Sequence, residues 1–392
     1  MEGSVDDDLL GIRSRPALQQ PGWDDDPRLP AVRGELANGP PLVRAEDVFR
    51  LSSLLARVAT GQAHLVLSGD CAEDPAECTA GYVARKAGLL DTLAGVLKMT
   101  THKPVVRAGR IAGQFTKPRS YCTEWVGNLE LPVYRGHMVN SPEPDPELRT
   151  PDPRRILAGY RAAHQVMGHL GWRDTQPRID LPTWTSHEAL LLDYELPMLR
   201  RDGQGRVVLT STHWPWIGER TRQVGFAHVA LLAGIVNPVA CKVGPGMTVG
   251  ELLTLCESLD PLREEGRLTL IARMGATVVA ELLPPLVAAV RAAGHPVIWL
   301  TDPMHANTIA TPSGLKTRLV ETIIKEIQQF QVAVRNSGGV AGGIHLETTP
   351  DDVTECVPNR SHLDRVTEKY TSFCDPRLNP EQAVSVVSAW CG

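Results

Sequence analysis

Apolar positions recur along this chain in two alternating periods. Short runs rich in Val, Leu, Ile and Ala read as buried strands, and each is followed by a longer stretch whose apolar residues return every three or four positions, as on an amphipathic helix. Eight strands are expected: His64–Ser68, Pro104–Ala108, Thr183–Ser186, Val207–Thr212, Val239–Val243, Leu268–Ala272, Val297–Leu300 and Gly343–Leu346. Helices are expected over Ala45–Val58, with Val48, Leu51, Leu54 and Leu55 on one face, and over Gly250–Ser258, Val278–Ala293 and Gly314–Val334. Eight strands separated by helices point to an α/β fold of the closed (β/α)8 TIM-barrel type rather than an open sheet. Residues 1–45, rich in Pro, Asp and Arg, read as an N-terminal arm; residues 46–392 read as the barrel with a C-terminal extension.

Composition narrows the partners. The 392 residues are 42% hydrophobic and 22% charged with a net charge of -5, which gives no basic footprint for nucleic acid. An anionic substrate must therefore be held by local clusters of Arg and Lys. No apolar run approaches the roughly 18 residues of a membrane span. The opening MEGSVDDDLLGIRSRP is acidic and lacks the order of a secretory signal, and the eight cysteines form no CxxC pair. A reduced, cytoplasmic protein is expected.

The strand ends carry the chemistry. In order they bring Asp70 and Cys71, Arg110, His187 and Glu188, Glu219 and Arg220, Lys242, Arg273, Asp302 with His305, and His345 with Glu347. In a barrel these ends converge on one mouth. Any one of them is an ordinary strand cap; the set is not. Arg220, Lys242 and Arg273 end three different strands and can surround one small polyanion. The loop Arg110–Ser120 adds Lys117, Arg119 and Ser120, with Gly113 expected to allow a tight turn. The spacing of Gly244, Gly246 and Gly250 is wrong for a dinucleotide loop, and no phosphate-binding GxxxxGK[ST] is present.

Strands one, seven and eight adjoin when a barrel closes, which groups Cys71, His305 and the His345/Glu347 pair, with Asp375 as a further candidate. Such a mixed S, N and O set suits Mn, Fe, Co or Zn rather than Mg or Ca. Spacing alone does not choose between His345 and Glu347, which share a strand face.

The strings SGDCAE, GRIAGQFTKPRS, WTSHEALLLDYE, IGERTRQ, NPVACKVGP, LTLIARMG, DPMHANT, GGIHLETT, DDVTECV and CDPRLNP resemble the type II 3-deoxy-D-arabino-heptulosonate 7-phosphate (DAHP) synthases, in order from about residue 60 to the C-terminus. The compact length, with STHWPWIGERTRQ and VTECV, is most similar to the variant found with phenazine biosynthesis genes. The resemblance implies a transferase of the shikimate pathway that joins phosphoenolpyruvate to D-erythrose 4-phosphate. It places a divalent metal, manganese or cobalt first and zinc or iron next, on Cys71, His305, Glu347 and Asp375. It places phosphoenolpyruvate on Arg110, Glu219, Arg220, Lys242 and Arg273, and erythrose 4-phosphate near Lys117, Arg119 and Ser120. It also implies a homo-oligomer, a dimer first, and a chorismate mutase as a candidate partner. Two departures stand out: Ala306 replaces the family's usual Gly, and Gly225-Phe226 stands where relatives carry Asp-Gly.

Further expectations follow from the resemblance. The chain is short for the aromatic amino acid sites of longer relatives, so weak feedback inhibition is expected. Cys374 precedes Asp375, so oxidation is expected to join it to Cys71 and expel the metal. The rival readings are a metal-dependent aldolase or phosphohydrolase with other substrates, and a non-catalytic barrel acting as a regulatory partner.

Overall fold

A computed structural model describes residues 11–174 and 182–391. Eight parallel strands close into a barrel: β1 (His64–Gly69), β2 (Val105–Arg110), β3 (Trp184–Glu188), β4 (Trp214–Ile217), β5 (Val239–Val243), β6 (Leu268–Ala272), β7 (Ile298–Thr301) and β8 (Val340–Glu347), with β8 paired back onto β1. Around them lie α1 (Leu29–Asn38), α2 (Ala45–Ala59), α3 (Ala80–Thr101), α4 (Arg154–His169), α5 (Ala227–Ala233), α6 (Val249–Leu259), α7 (Val279–Ala292), α8 (Val320–Asn336) and α9 (Pro380–Ser388). No helix among the described residues is long and apolar enough to cross a membrane.

The expected strands overlap those observed, apart from the fourth. Val207–Leu209 pairs antiparallel with Leu199–Arg201 in a hairpin outside the barrel, and the fourth barrel strand is Trp214–Ile217. The β-branched run at 207 has the stronger strand propensity, whereas Pro215 removes a ladder donor from Trp-Pro-Trp-Ile. Both segments are buried; location decides for the second, because Trp214 and Trp216 fill the barrel interior while Val207, Val208 and Leu209 pack in the outer cluster. The helix expected from Gly314 begins at Val320. Gly314 has φ +85°, and the residues before the helix form a small hairpin of Ile309–Ala310 with Lys316–Thr317. The segment read as an arm contains α1, which buries Leu29, Val32 and Leu36.

Strand parity divides the interior into two zones. The register pairs Leu65, Ala108, Trp184, Trp216, Ala240, Ile271 and Leu300 into the inward-facing set, and these side chains form one buried apolar cluster with Leu51, Leu55 and Val58 of α2. Moving two residues further along the same inward face reaches Arg110, Lys242, Arg273 and Asp302, and β8 supplies His345 and Glu347 there. The apolar lower layers stabilise a rigid floor, and the upper layer carries the charge. The same parity excludes two expected groups from the mouth. His187 bonds Glu195 at 2.8 Å, and Asp70 is held by Lys86 at 2.6 Å and Arg377 at 2.7 Å.

Candidate active site

Gly69 of β1 stands level with Arg110 on one side and Glu347 on the other. Cys71, two residues on, therefore enters the mouth beside both. The ligand atoms of Cys71, Glu347 and Asp375 all lie within 4.8 Å of one another. Cys71 Sγ is 3.6 Å from Asp375 Oδ2, and His305 Nε2 is 3.2 Å from Glu347 Oε1. His305 Nδ1 lies 2.7 Å from Asp302 Oδ2, which orients the ring so that Nε2 faces the cluster. The Lys117 ammonium sits among these groups, 2.7 Å from Cys71 Sγ, 2.8 Å from Asp375 and 3.6 Å from Glu347.

The electrostatics are those of buried carboxylates paired with cations. Burial would raise the Glu347 carboxyl, but His305, Lys117 and Arg318 outweigh it and hold the group well below the usual carboxylate range. Arg318 reaches Glu347 Oε2 at 2.7 Å. Burial pushes the Cys71 thiol well above its ordinary value, assisted by its hydrogen bond with Cys374. Both thiols are free.

Two buried carboxylates place the loops that carry this cluster. Glu73 accepts from the backbone N–H groups of Ala112, Gly113 and Gln114 at 3.1, 2.8 and 2.7 Å, so the segment leading to Lys117 and Ser120 is pinned. Glu355 accepts from the N–H groups of Thr371, Ser372 and Arg377 at 3.0, 2.8 and 2.7 Å. Arg377 in turn bridges Glu355 and Asp70, the neighbour of Cys71. Asp375 is thus fixed relative to Cys71 through a network centred on buried Glu355, Arg377 and Asp70, in which loss of one member leaves others unpaired. Gly113 serves a different purpose from the expected turn. The left-handed residue is Ala112 at φ +69°, whereas a Cβ on Gly113 would come 2.0 Å from His187 Nδ1.

Beside the cluster opens a cavity of about 270 Å³. Its wall holds Arg110, Lys117, Arg119, Ser120, Glu219, Arg220, Lys242, Arg273, His305 and Asp375, so ten of the twelve predicted site residues meet there, and Cys71 and Glu347 adjoin it. Lys242 lies against Asp302 and donates to His345 Nδ1 at 2.9 Å. Burial pulls its ammonium down to about 8 against the opposing pull of Asp302. Trp216 lies under both Lys242 and Arg110, with cation-to-ring distances of 5.0 and 5.5 Å. Arg220 donates to Ser120 Oγ at 2.6 Å, which puts Arg220 at the Ser120 end of the cavity.

Sequence reasoning missed Lys316, Arg318 and Glu188, which also line the cavity. The first two fell inside the helix expected from Gly314 and were given no role. Glu188 was seen at a strand end but given no role; it is 4% exposed, and burial raises its carboxyl.

The class-II DAHP synthetase family model matches residues 9–175 and 165–389. A probable phospho-2-dehydro-3-deoxyheptonate aldolase from Pseudomonas fluorescens is 57% identical over 389 residues, covering 98% of this chain and 97% of that protein. The chain belongs to the class-II DAHP synthetase family. A phospho-2-dehydro-3-deoxyheptonate aldolase from Streptomyces coelicolor is 38% identical over 424 residues, covering 95% of this chain and 94% of that one. The solved phospho-2-dehydro-3-deoxyheptonate aldolase of Francisella tularensis aligns over 93% of this chain and 97% of its own with a TM-score of 0.54 at 14% identity, a likeness of fold. As a member of this family the protein is an enzyme, a DAHP synthase.

The donor set fits the divalent ion that the family implies. One thiol and two carboxylates converge, the His305 imidazole meets Glu347 at 3.2 Å, and an outer carboxylate orients that imidazole.

Proposed function

We propose that this enzyme condenses phosphoenolpyruvate with D-erythrose 4-phosphate and water to give DAHP and inorganic phosphate. The observation carrying this reading is one cavity in which the cations of Arg110, Arg220, Lys242 and Arg273 adjoin the Cys71–Glu347–Asp375 cluster. Two anionic substrates thereby come together beside a Lewis-acid site.

Cys71, His305, Glu347 and Asp375 hold the divalent ion, for which manganese and cobalt suit the donors, with zinc and iron as further fits. When bound, it supplies polarisation of the aldehyde carbonyl. Arg110, Lys242 and Arg273 grip the carboxylate and phosphate of phosphoenolpyruvate, so that its carbon 3 faces the aldehyde carbon. The contact between Arg220 and Ser120 supports moving Arg220 from the phosphoenolpyruvate end to the phosphate of the aldose, with Arg119 close by. Lys117 lies between the two ends and is suited to neutralise charge that grows on the former carbonyl oxygen. As the carbon–carbon bond forms, positive character develops at carbon 2 of phosphoenolpyruvate, and water adds there. Glu219, whose Oε2 is buried without a hydrogen-bond partner, is placed to orient that water. Collapse of the resulting adduct breaks the carbon–oxygen bond to phosphate.

The motifs STHWPWIGERTRQ and VTECV support a role in secondary metabolism such as phenazine biosynthesis. Phosphate release measured with each substrate alone and with both together tests the reaction. Release should need both; release from phosphoenolpyruvate alone would make the protein a phosphohydrolase instead.

A further inference from the structure

The chemistry above makes no use of Glu326, yet this residue joins two of the loops that it depends on. Glu326 lies in the first half of α8 and is 0% exposed. Its Oε1 accepts from the backbone N–H of Gly275 at 2.9 Å, and its Oε2 accepts from Asn307 Nδ2 at 2.5 Å. Asn307 also donates to the carbonyl of Pro303 at 2.8 Å and accepts from the N–H of Ala276 at 3.1 Å. This pattern of two donations and one acceptance fixes which way the amide points. One side-chain pair therefore ties together the loop after β6, the loop after β7 and helix α8.

Those loops carry the groups that matter. Arg273 stands two residues before Gly275, and His305 stands two before Asn307. The loops also touch directly. Gly275 has φ +92°, and a Cβ built there would come 3.3 Å from the methyl of Ala306, the residue that departs from the family's Gly. Burial raises the Glu326 carboxyl to about 7 even though the Gly275 and Asn307 hydrogen bonds favour the charged form, and Asp302 nearby adds to the rise. Keeping a carboxylate in such a place is costly unless its two acceptors are needed.

We propose that Glu326 and Asn307 are positioning residues that set the Arg273 guanidinium relative to His305 and so govern the grip on phosphoenolpyruvate. The proposal rests on the roles given above to Arg273 and His305. Its physical basis is donor–acceptor matching. Two N–H donors from different loops meet one side chain, and only a carboxylate accepts at both of its atoms. An amide in place of the Glu326 carboxylate would turn an NH2 group toward one of those donors and push a loop away. Exchanging Asn307 for a carboxylate at the same time would reverse the contact: the amide on α8 would donate and the carboxylate on the loop would accept.

The test compares E326Q, N307D and the double variant E326Q/N307D in the metal-loaded enzyme. Readouts are KM for each substrate, phosphoenolpyruvate affinity by calorimetry, and thermal melting. We expect E326Q to raise KM for phosphoenolpyruvate about tenfold, as sub-ångström misplacement does, while KM for erythrose 4-phosphate stays within about twofold. The double variant should recover much of that loss, though not all, because the Pro303 carbonyl stays unpaired. Melting temperatures that fall with both KM values unchanged would overturn the proposal. So would a double variant no better than the two single losses combined. Should E326Q not fold, Glu326→Asp retains both acceptors one methylene short and should still raise KM for phosphoenolpyruvate; an unchanged KM there overturns the proposal. Arg273→Ala separates the two levels. Normal phosphoenolpyruvate affinity in that variant defeats the site reading itself, whereas loss there with none in E326Q defeats only the positioning role.

Discussion

Glu355→Gln tests whether the buried network behind Asp375 places the metal corner. Glu355 is 0% exposed and takes five hydrogen bonds from backbone and guanidinium N–H groups, with Oε1 facing Thr371 N, Ser372 N and Arg377 Nη2 and Oε2 facing Arg377 N and Nε. An amide at this position offers one acceptor, so its NH2 must face at least the two donors now on Oε2. Two buried donors without acceptors cost about 1–3 kcal/mol each. Arg377 is then left with Asp70 as its charged partner. The sum, about 2–6 kcal/mol, brackets the roughly 3–5 kcal/mol of breaking a buried ion pair. Such a loss is relieved most cheaply by releasing residues 371–377 rather than the barrel. Amide hydrogen exchange should therefore accelerate at Thr371, Ser372 and Arg377 while β1 and β8 stay protected. Because Asp375 lies in that segment, manganese affinity measured by indicator competition should fall about 10–100-fold, as for outer-shell ligand supports generally. Unchanged exchange at 371–377, or unchanged manganese affinity with the segment released, would refute the reasoning.

Three other outcomes follow from single contacts. Arg273→Ala should raise KM for phosphoenolpyruvate by about 10–100-fold, the loss of a charge-assisted contact, with manganese affinity unaltered; a KM within error of wild type would remove Arg273 from the site. Because burial lowers the Lys242 ammonium to about 8, its charge is present below that pH and lost above it. Thus kcat/KM for phosphoenolpyruvate should decline above about pH 8, and Lys242→Arg, whose guanidinium keeps its proton, should move that decline upward; an alkaline limb identical in both proteins would assign the ionisation elsewhere. Gly113→Ala puts a methyl 2.0 Å from His187 Nδ1, which should cost about 1–3 kcal/mol of overpacking and displace the loop bearing Lys117. A melting temperature equal to wild type would show that the loop yields freely.

Much of the barrel was legible because strand runs and helix periods differ in kind and each apolar run is short. The one strand misplaced, Val207–Thr212 for Trp214–Ile217, shows where propensity misleads. Valine and threonine favour strands anywhere, while two tryptophans around a proline become a strand because a barrel interior needs their volume. The metal candidates could be listed from strand ends, but the preference for Glu347 over His345 came from family resemblance. Geometry now gives a reason for it: His345 is occupied between Arg110 and Lys242, whereas Glu347 meets His305 and lies within reach of Cys71 and Asp375. Glu73, Glu355 and Glu326 were invisible as anchors, since a carboxylate buried against backbone N–H groups looks in sequence like any surface charge. Lys316 and Arg318 were hidden by a helical pattern extended back through Gly314.

If a divalent ion held by Cys71, His305, Glu347 and Asp375 completes the site, turnover must follow its occupancy. The decisive experiment strips the enzyme with a chelator, titrates manganese back, and follows phosphate release with phosphoenolpyruvate and erythrose 4-phosphate both present. We expect no turnover in the stripped protein, recovery that saturates at one ion per chain, and no recovery in Cys71→Ala or Glu347→Ala. Full turnover in the stripped protein, or recovery in those variants equal to wild type, would contradict the metal site.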